Sequence, residues 1–325
     1  MGFAFRSLLL GASVCVTLAL PAAARDFRSA DIHPTDYPTV EAVRYIGKLL
    51  SEQTGGKLGV KVYPNGALGN EHDTIEQLKI GGLDMMRINV APLNNVVPET
   101  IVPALPFLFR SEEHMHTVLD GPIGDEILAA MEEQGMVGLA FYDSGARSMY
   151  TATKPIKSLA DVQHMKIRVQ QSDLFVAMVE ALGANPTPMP FGEVYTALKT
   201  GIVDAAENNF PSYESSRQFE AAKYYTLTEH SMAPEVLVFS KVIWDTLTPE
   251  DQALIRKAAK DSVPYMRDLW DKREAASEAT VKAGGAEILP LEDRQAWVDA
   301  MQPVYAKFAD TPELQSLVKR VQDTQ

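Results

Sequence analysis

The chain has 325 residues, 46% of them apolar and 22% charged, and a formal net charge of -13. This is the composition of an ordinary globular protein, and the acidic balance argues against nucleic acid or anionic lipid as a partner. An anionic ligand would need a local cationic site, because the overall field repels it.

The N-terminus reads as an export signal. Arg6 supplies the positive region, residues 8–20 the apolar run, and Pro21-Ala22-Ala23-Ala24 a small-residue exit of the Ala-x-Ala type. The run is shorter than the ~20 apolar residues a membrane-spanning helix needs. The pattern predicts a signal peptide over 1–24, cleavage after Ala24 and a periplasmic mature chain, whose charge becomes -14 once Arg6 is lost. The single cysteine, Cys15, lies inside this leader. The mature chain is therefore expected to have neither a disulfide nor a reactive thiol. The remaining ~300 residues exceed what one hydrophobic core organises, which predicts two lobes.

Strand and helix signals alternate from there. Residues 26–30 read as a strand, 33–37 as a loop, and Pro38 as the first turn of a helix that stops at Gly55-Gly56. A second strand follows at 58–63, a helix at 71–80, and a third strand at 84–89. This order predicts a parallel sheet with covered faces. Residues 98–106 are proline-rich and irregular, and Ser111 reads as the N-cap of further helices. Strands are expected at 136–142 and from Arg147 to Thr151, the latter crossing into the second lobe. There the theme repeats: strand 165–169, helix 172–182, strand 186–189, helix 191–200 and strand 202–206. Residues 223–240 read as strands returning to the first lobe. Thr248 caps a long charged helix that reaches about Ala283, with a bend at Pro264, and the tail from Leu291 reads as amphipathic helix.

The expected fold class is α/β, two-lobed, with discontinuous domains and the long helix bracing both lobes. Lobe I takes 25–145 plus about 230–265, and lobe II 146–229 plus about 266–325. Ligands in such folds sit between the lobes at the carboxyl ends of the strands.

Arg168 is the most informative residue. It lies among apolar strand formers in Met165-Lys166-Ile167-Arg168-Val169, where a guanidinium is costly unless an anion meets it. On the residues alone a structural ion pair competes with that reading. Its planar fork suits a carboxylate, because two parallel N–H···O bonds form at once. The strand after Gly201 ends in two amides, Asn208-Asn209. Other signals fail. His114 and His116 stand two apart, on different sides of a helix, and read as a solvated face rather than a metal site. Gly66-Ala67-Leu68-Gly69 lacks the Lys-Ser or Lys-Thr of a phosphate loop. No Gly-x-Ser-x-Gly elbow occurs, and no spacing marks a catalytic carboxylate pair. No cofactor is implied.

Several motifs together resemble the solute-binding proteins of tripartite ATP-independent periplasmic (TRAP) transporters. They are Tyr63-Pro64-Asn65-Gly66-Ala67-Leu68-Gly69, Gln77 to Asp84, Ser158 to Val162 leading to Arg168, Pro190 to Leu198, and Gly201 to Asn208. The resemblance implies that Arg168 forms a bidentate salt bridge with the ligand carboxylate and that Asn208 bonds the same group. Arg147 would supply a second cation or bind a hydroxyl, Glu71 would accept from ligand hydroxyls, and Phe191 would form an apolar wall. His33 and Asn89, at carboxyl ends of first-lobe strands, are added on position. Structural readings stand beside these: Arg147 paired with Asp143 on the surface, Glu71 as a helix N-terminal acid, His33 as a loop cap and Phe191 as core.

The segments His33 to Pro38 and Thr228 to Glu235 resemble the hexuronate-binding branch, whose ligands include glucuronate and galacturonate. The doubled amide favours a polyhydroxylated acid, since a plain dicarboxylate would leave buried amides unpaired at about 1–3 kcal/mol each. The resemblance implies capture without chemistry, by a monomer that delivers a sugar acid to integral membrane permease subunits. Other sugar acids, C4-dicarboxylates, an ATP-driven importer's binding protein and a secreted enzyme acting on sugar acids are the alternatives.

Overall fold

A computed structural model describes residues 24–325. The export signal read over 1–24 lies, but for its last residue, outside the described residues. No helix among the described residues is long and apolar enough to cross a membrane.

Two sheets organise the chain. The first holds β1 (Arg25–Ala30), β2 (Leu58–Tyr63), β3 (Met85–Asn89), β4 (Met136–Tyr142) and β10 (Glu235–Ser240), in the order β2-β1-β3-β10-β4. The second holds β5 (Arg147–Thr151), β6 (Lys166–Val169), β7 (Asn185–Pro188), β8 (Ala205–Asn208), β9 (Tyr224–Ser231) and β11 (Glu287–Pro290), in the order β11-β9-β5-β8-β6-β7.

The first βαβαβ segment is parallel as expected, with Ala30 opposite both Tyr63 and Met86. The sheet as a whole is mixed, because β10 enters antiparallel between β3 and β4. The reading of 223–240 as a return to the first lobe is corrected. Tyr224–Ser231 pairs with β5 inside the second sheet, and only Glu235–Ser240 returns. Both runs are rich in strand-forming residues, so their partners are decided by the sheets that receive them and not by composition. β11 was not expected; it extends the second sheet beside β9.

Local signals account for the helices. Pro38 opens Pro38–Thr54, and Gly55, at φ 61°, closes it in the left-handed region glycine tolerates. Gly47 in the same helix lies so close to β2 that a Cβ would stand 3.0 Å from the backbone nitrogen of Val60. Asn70 and Asp73 form a reciprocal capping box at the start of Glu71–Lys79. Ser111 and Thr248 cap as expected, accepting from His114 N and Asp251 N.

Two strand crossings join the halves, at 143–146 between β4 and β5 and at 232–234 between β9 and β10. They run side by side, Arg147 opposite Ser231, and the register shifts between Arg147 and Met149. The 35-residue helix Pro249–Ala283 is about 52 Å long. It packs on helix Pro38–Thr54 and β4, and on helix Phe210–Ser215 from the other half. Arg273 on this helix bonds Asp36 at 3.0 Å and Glu214 at 2.6 Å, one from each half. The terminal helix Pro312–Asp323 packs on Ile101–Ala104 and Pro122–Ala130. There the buried His114 bonds Val321 O through Nε2 at 2.9 Å. His116 bonds Asp143 at 2.8 Å. The solvated face expected of these histidines is thus corrected: both side chains are structural ties, because the helix turns them toward neighbouring elements.

Candidate functional site

The two sheets present one set of strand ends to each other. β3, β6 and β8 arrive with their carboxyl ends, while β5 and β10, running the other way, arrive with their starts. Side chains from all of these converge on a small cavity lined by His33, Glu71, Asn89, Arg147, Arg168, Phe191 and Asn208. All seven residues singled out in the sequence are therefore brought together. Ile32, Arg87, Gln170, Ser212 and Glu235 line it too and were not anticipated as site residues.

Arg168 is 2% exposed. Its Nε and Nη2 donate to Met189 O at 3.1 and 2.7 Å. No carboxylate among the described residues pairs with it. The Met189 carbonyl fixes the plane of the guanidinium, and the Nη1 edge makes no bond with the described residues. Burial lowers its pKa; Glu207 and Glu71 oppose that only at a distance.

Arg147 is in a different state. Its Nε and Nη2 reach Glu207 Oε2 at 2.6 Å and Oε1 at 2.8 Å, and its Nη1 reaches Asn208 Oδ1 at 2.9 Å. The partner is the fully buried Glu207 and not Asp143, which is itself buried and bonds His116 and Arg267. Burial would raise the Glu207 carboxyl, but Arg147, with His230 Nε2 3.4 Å away, wins and holds it down at about 2. Arg147 is therefore a neutralised cation that orients Asn208. With Oδ1 committed to Arg147 and to Asn209 N, the Asn208 amide is left with Nδ2 as its outward donor.

Arg87 repeats this ion-pair logic in the first half. It bonds Asp31 through Nε at 2.9 Å and through Nη2, and Glu235 through Nη1 at 2.7 Å. The signal was present in the sequence: Arg87 sits in Met85-Met86-Arg87-Ile88, as unlikely a place for a charge as that of Arg168. Asn89 spends its side chain inside the chain. Nδ2 donates to Ala233 O and Glu235 Oε1, and Oδ1 accepts from Ala91 N and from Gln170 Nε2. The last of these bonds crosses between the halves.

His33 stacks on Tyr37 with ring centroids 3.8 Å apart and meets the edge of Phe191 at 5.3 Å. Its Nδ1 is buried without a partner among the described residues. Burial, then Arg87, Arg147 and Arg273, hold its pKa well below the usual imidazole range. The ring is neutral, an apolar face with one acceptor and one donor. Phe191 is half-buried and stands between this cavity and a wider mouth lined by Asn65, Asn70, Glu71 and Glu193.

The doubled amide is corrected in part. Asn209 donates to Ser144 O at 2.7 Å and accepts from Ser212 N at 2.7 Å, so it caps helix Phe210–Ser215 and ties it to the first crossing. Only Asn208 of the pair lines the cavity. Asn89 and Asn209 are satisfied within the chain, so the case for a polyhydroxylated ligand cannot rest on unpaired amides there.

Comparison with known proteins follows this geometry. Residues 29–311 match the family model described as DctP, bacterial extracellular solute-binding protein, family 7. A TRAP periplasmic solute-binding protein from Bradyrhizobium sp., solved in complex with galacturonate, is 71% identical with a TM-score of 0.92, covering 92% of this chain and 100% of that one. A Citrobacter koseri TRAP solute-binding protein, 38% identical, was solved with bound D-glucuronate and as an apo, open structure. The first gives a TM-score of 0.89 over 93% of this chain and 100% of that one. The second gives 0.81 over 92% and 99%. The present chain is thus closer to the ligand-bound form than to the open one.

Proposed function

The chain belongs to the DctP family of bacterial extracellular solute-binding proteins, as a TRAP solute-binding protein, and we propose that it captures hexuronates, D-galacturonate and D-glucuronate. Arg168 carries this reading. It is a buried, oriented guanidinium paired with no carboxylate among the described residues, in a cavity whose other arginines are both neutralised. The Nη1–Nη2 edge then takes the ligand carboxylate end-on, Asn208 Nδ2 adds a donor, and Glu71, His33 and Gln170 meet the hydroxyls while Phe191 covers one sugar face. Asn89 and Arg147 hold these groups in place. The solved relatives that contain galacturonate and glucuronate support the same ligand class.

Nothing in this arrangement calls for chemistry. Glu207 is held ionised by Arg147 and His33 neutral by burial, and neither is placed as an acid–base pair with separated roles. We propose a monomeric binding protein rather than an enzyme, divided into lobe I (25–145 plus about 230–265) and lobe II (146–229 plus about 266–325). The terminal helix fastens back onto lobe I. The exported chain, cleaved after Ala24, closes on its ligand and delivers it to integral membrane TRAP subunits.

A thermal-shift screen over organic and sugar acids tests the reading. Hexuronates are expected to raise the melting temperature, since tight binding stabilises by about 4 kcal/mol at a thousandfold excess over Kd. Malate and succinate should not. A shift with C4-dicarboxylates and none with hexuronates would overturn it.

A further inference from the structure

The acids of the cavity are not equivalent. Asp31 and Glu235 are held by Arg87, and Glu207 by Arg147, each within ion-pair distance. Glu71, the first residue of its helix, has no cation within that distance among the described residues. It stands in the wall shared by the inner cavity and the mouth. The groups facing it are Arg87 from β3, Glu235 from β10, Arg168 from β6, and His33 from the segment after β1, with Asp31 behind on Arg87. Arg147 and Glu207 lie behind, and Glu193 is at the mouth. On its own helix, His72 and Asp73 are exposed to solvent.

A hexuronate on Arg168 brings another negative charge into this enclosure. Arg87, Arg147 and Arg168 would then stand against Glu235 and Glu71 in the lining, Asp31 and Glu207 behind it, and the ligand carboxylate, an excess of anions around a largely buried site. Repulsion between like charges is strongest where solvent is excluded. The acid without a cation is the one that can yield. The helix N-terminus favours an ionised Glu71, but closure of the lobes removes the solvent that sustains the charge. A neutral carboxyl group also gains an O–H donor, which suits a hydroxyl or ring oxygen of a sugar.

We propose that Glu71 meets the sugar acid as a neutral carboxyl group, taking up a proton as the cleft closes. This rests on the hexuronate reading above. In the closed structure burial already pushes the Glu71 carboxyl up to about 7, against Arg87, with Glu235 adding to the rise and Arg168 and the Asn89 backbone N–H opposing it. In an open cleft the group would titrate in its ordinary range near ~4.3. A pKa raised on closure makes binding strongest at low pH. Affinity then falls by up to about tenfold per pH unit between the two values and levels off above the higher one. His33 acts with the opposite sign, because its ring loses its proton when buried. The informative quantity is therefore the difference between wild type and E71Q.

Titration calorimetry with D-galacturonate in phosphate and in imidazole buffer at about pH 6 counts the protons exchanged. Wild type is expected to take up close to one proton more than E71Q, and the E71Q affinity should lose the Glu71-dependent fall with rising pH. Equal proton counts, or the same pH slope in both, would overturn the proposal while leaving hexuronate binding intact. An infrared difference spectrum, bound minus free, provides a readout in wild type alone. A protonated-carboxyl band should appear there and be missing in E71Q; a band of equal strength in both would assign the proton elsewhere. Absence of binding by any hexuronate to wild type would instead sink the ligand reading itself.

Discussion

Two buried arginines in similar sequence settings have come to opposite states. Arg87 and Arg168 both interrupt apolar strands, yet Arg87 is closed by Asp31 and Glu235 while Arg168 has only the Met189 carbonyl. An arginine held by a neutral acceptor keeps its charge available, and its planar fork cannot be copied by an ammonium group. Arg168→Lys is therefore expected to weaken galacturonate binding about tenfold or more, since a lost charge-assisted bond is worth about 1.5–3 kcal/mol. Calorimetry returning the wild-type affinity would take Arg168 out of the site. That Arg168 is a charge set among apolar strand residues was legible from its neighbours. The satisfaction of Arg87 was not, because its partners lie 56 and 148 positions away.

At the scale of elements, short motifs were readable where their partners are local. The caps at Ser111 and Thr248 and the Gly55 stop each depend on atoms within a few residues. Asn209 shows the limit. Beside Asn208 it looked like a second ligand amide, but the start of helix Phe210–Ser215 rotates it onto Ser212 N and Ser144 O. Asn209→Ala should then act on stability, by about 1–3 kcal/mol from the lost cap and the unpaired carbonyl. Urea unfolding would show that loss, with a smaller fall in affinity than Arg168→Lys causes. A variant of full stability that no longer binds would put Asn209 back on the ligand. The run 223–240 failed for a related reason: hydrophobic pattern marks a strand, while the edge it joins is a property of the sheets already formed.

Across the whole molecule, bonds join the halves at several points around the cavity. Tyr37 meets Ser212 at 2.9 Å, Gln170 meets Asn89 at 3.3 Å, and Ser172 meets Asn94 at 2.9 Å. These are neutral bonds, each worth about 0.5–1.5 kcal/mol net, and the two strand crossings can bend between the lobes. The ligand then tips the balance by bonding both sides at once. Small-angle scattering should show a smaller radius of gyration with galacturonate than without it. Identical curves would mean a rigid molecule and would exclude capture by closure.

Taken alone, the sequence determined the alternation of strands and helices and the long bracing helix, and it brought forward the residues that meet at one cavity. Those follow from local periodicity, from turn chemistry and from charges placed where only a partner can justify them. Which arginine would be neutralised, which amide would turn inward, and which acid would stand without a cation were decided only by tertiary structure. Such pairings depend on distances between strand ends far apart in the chain, and the free energy of a buried charge is set by whatever lies within a few ångströms of it.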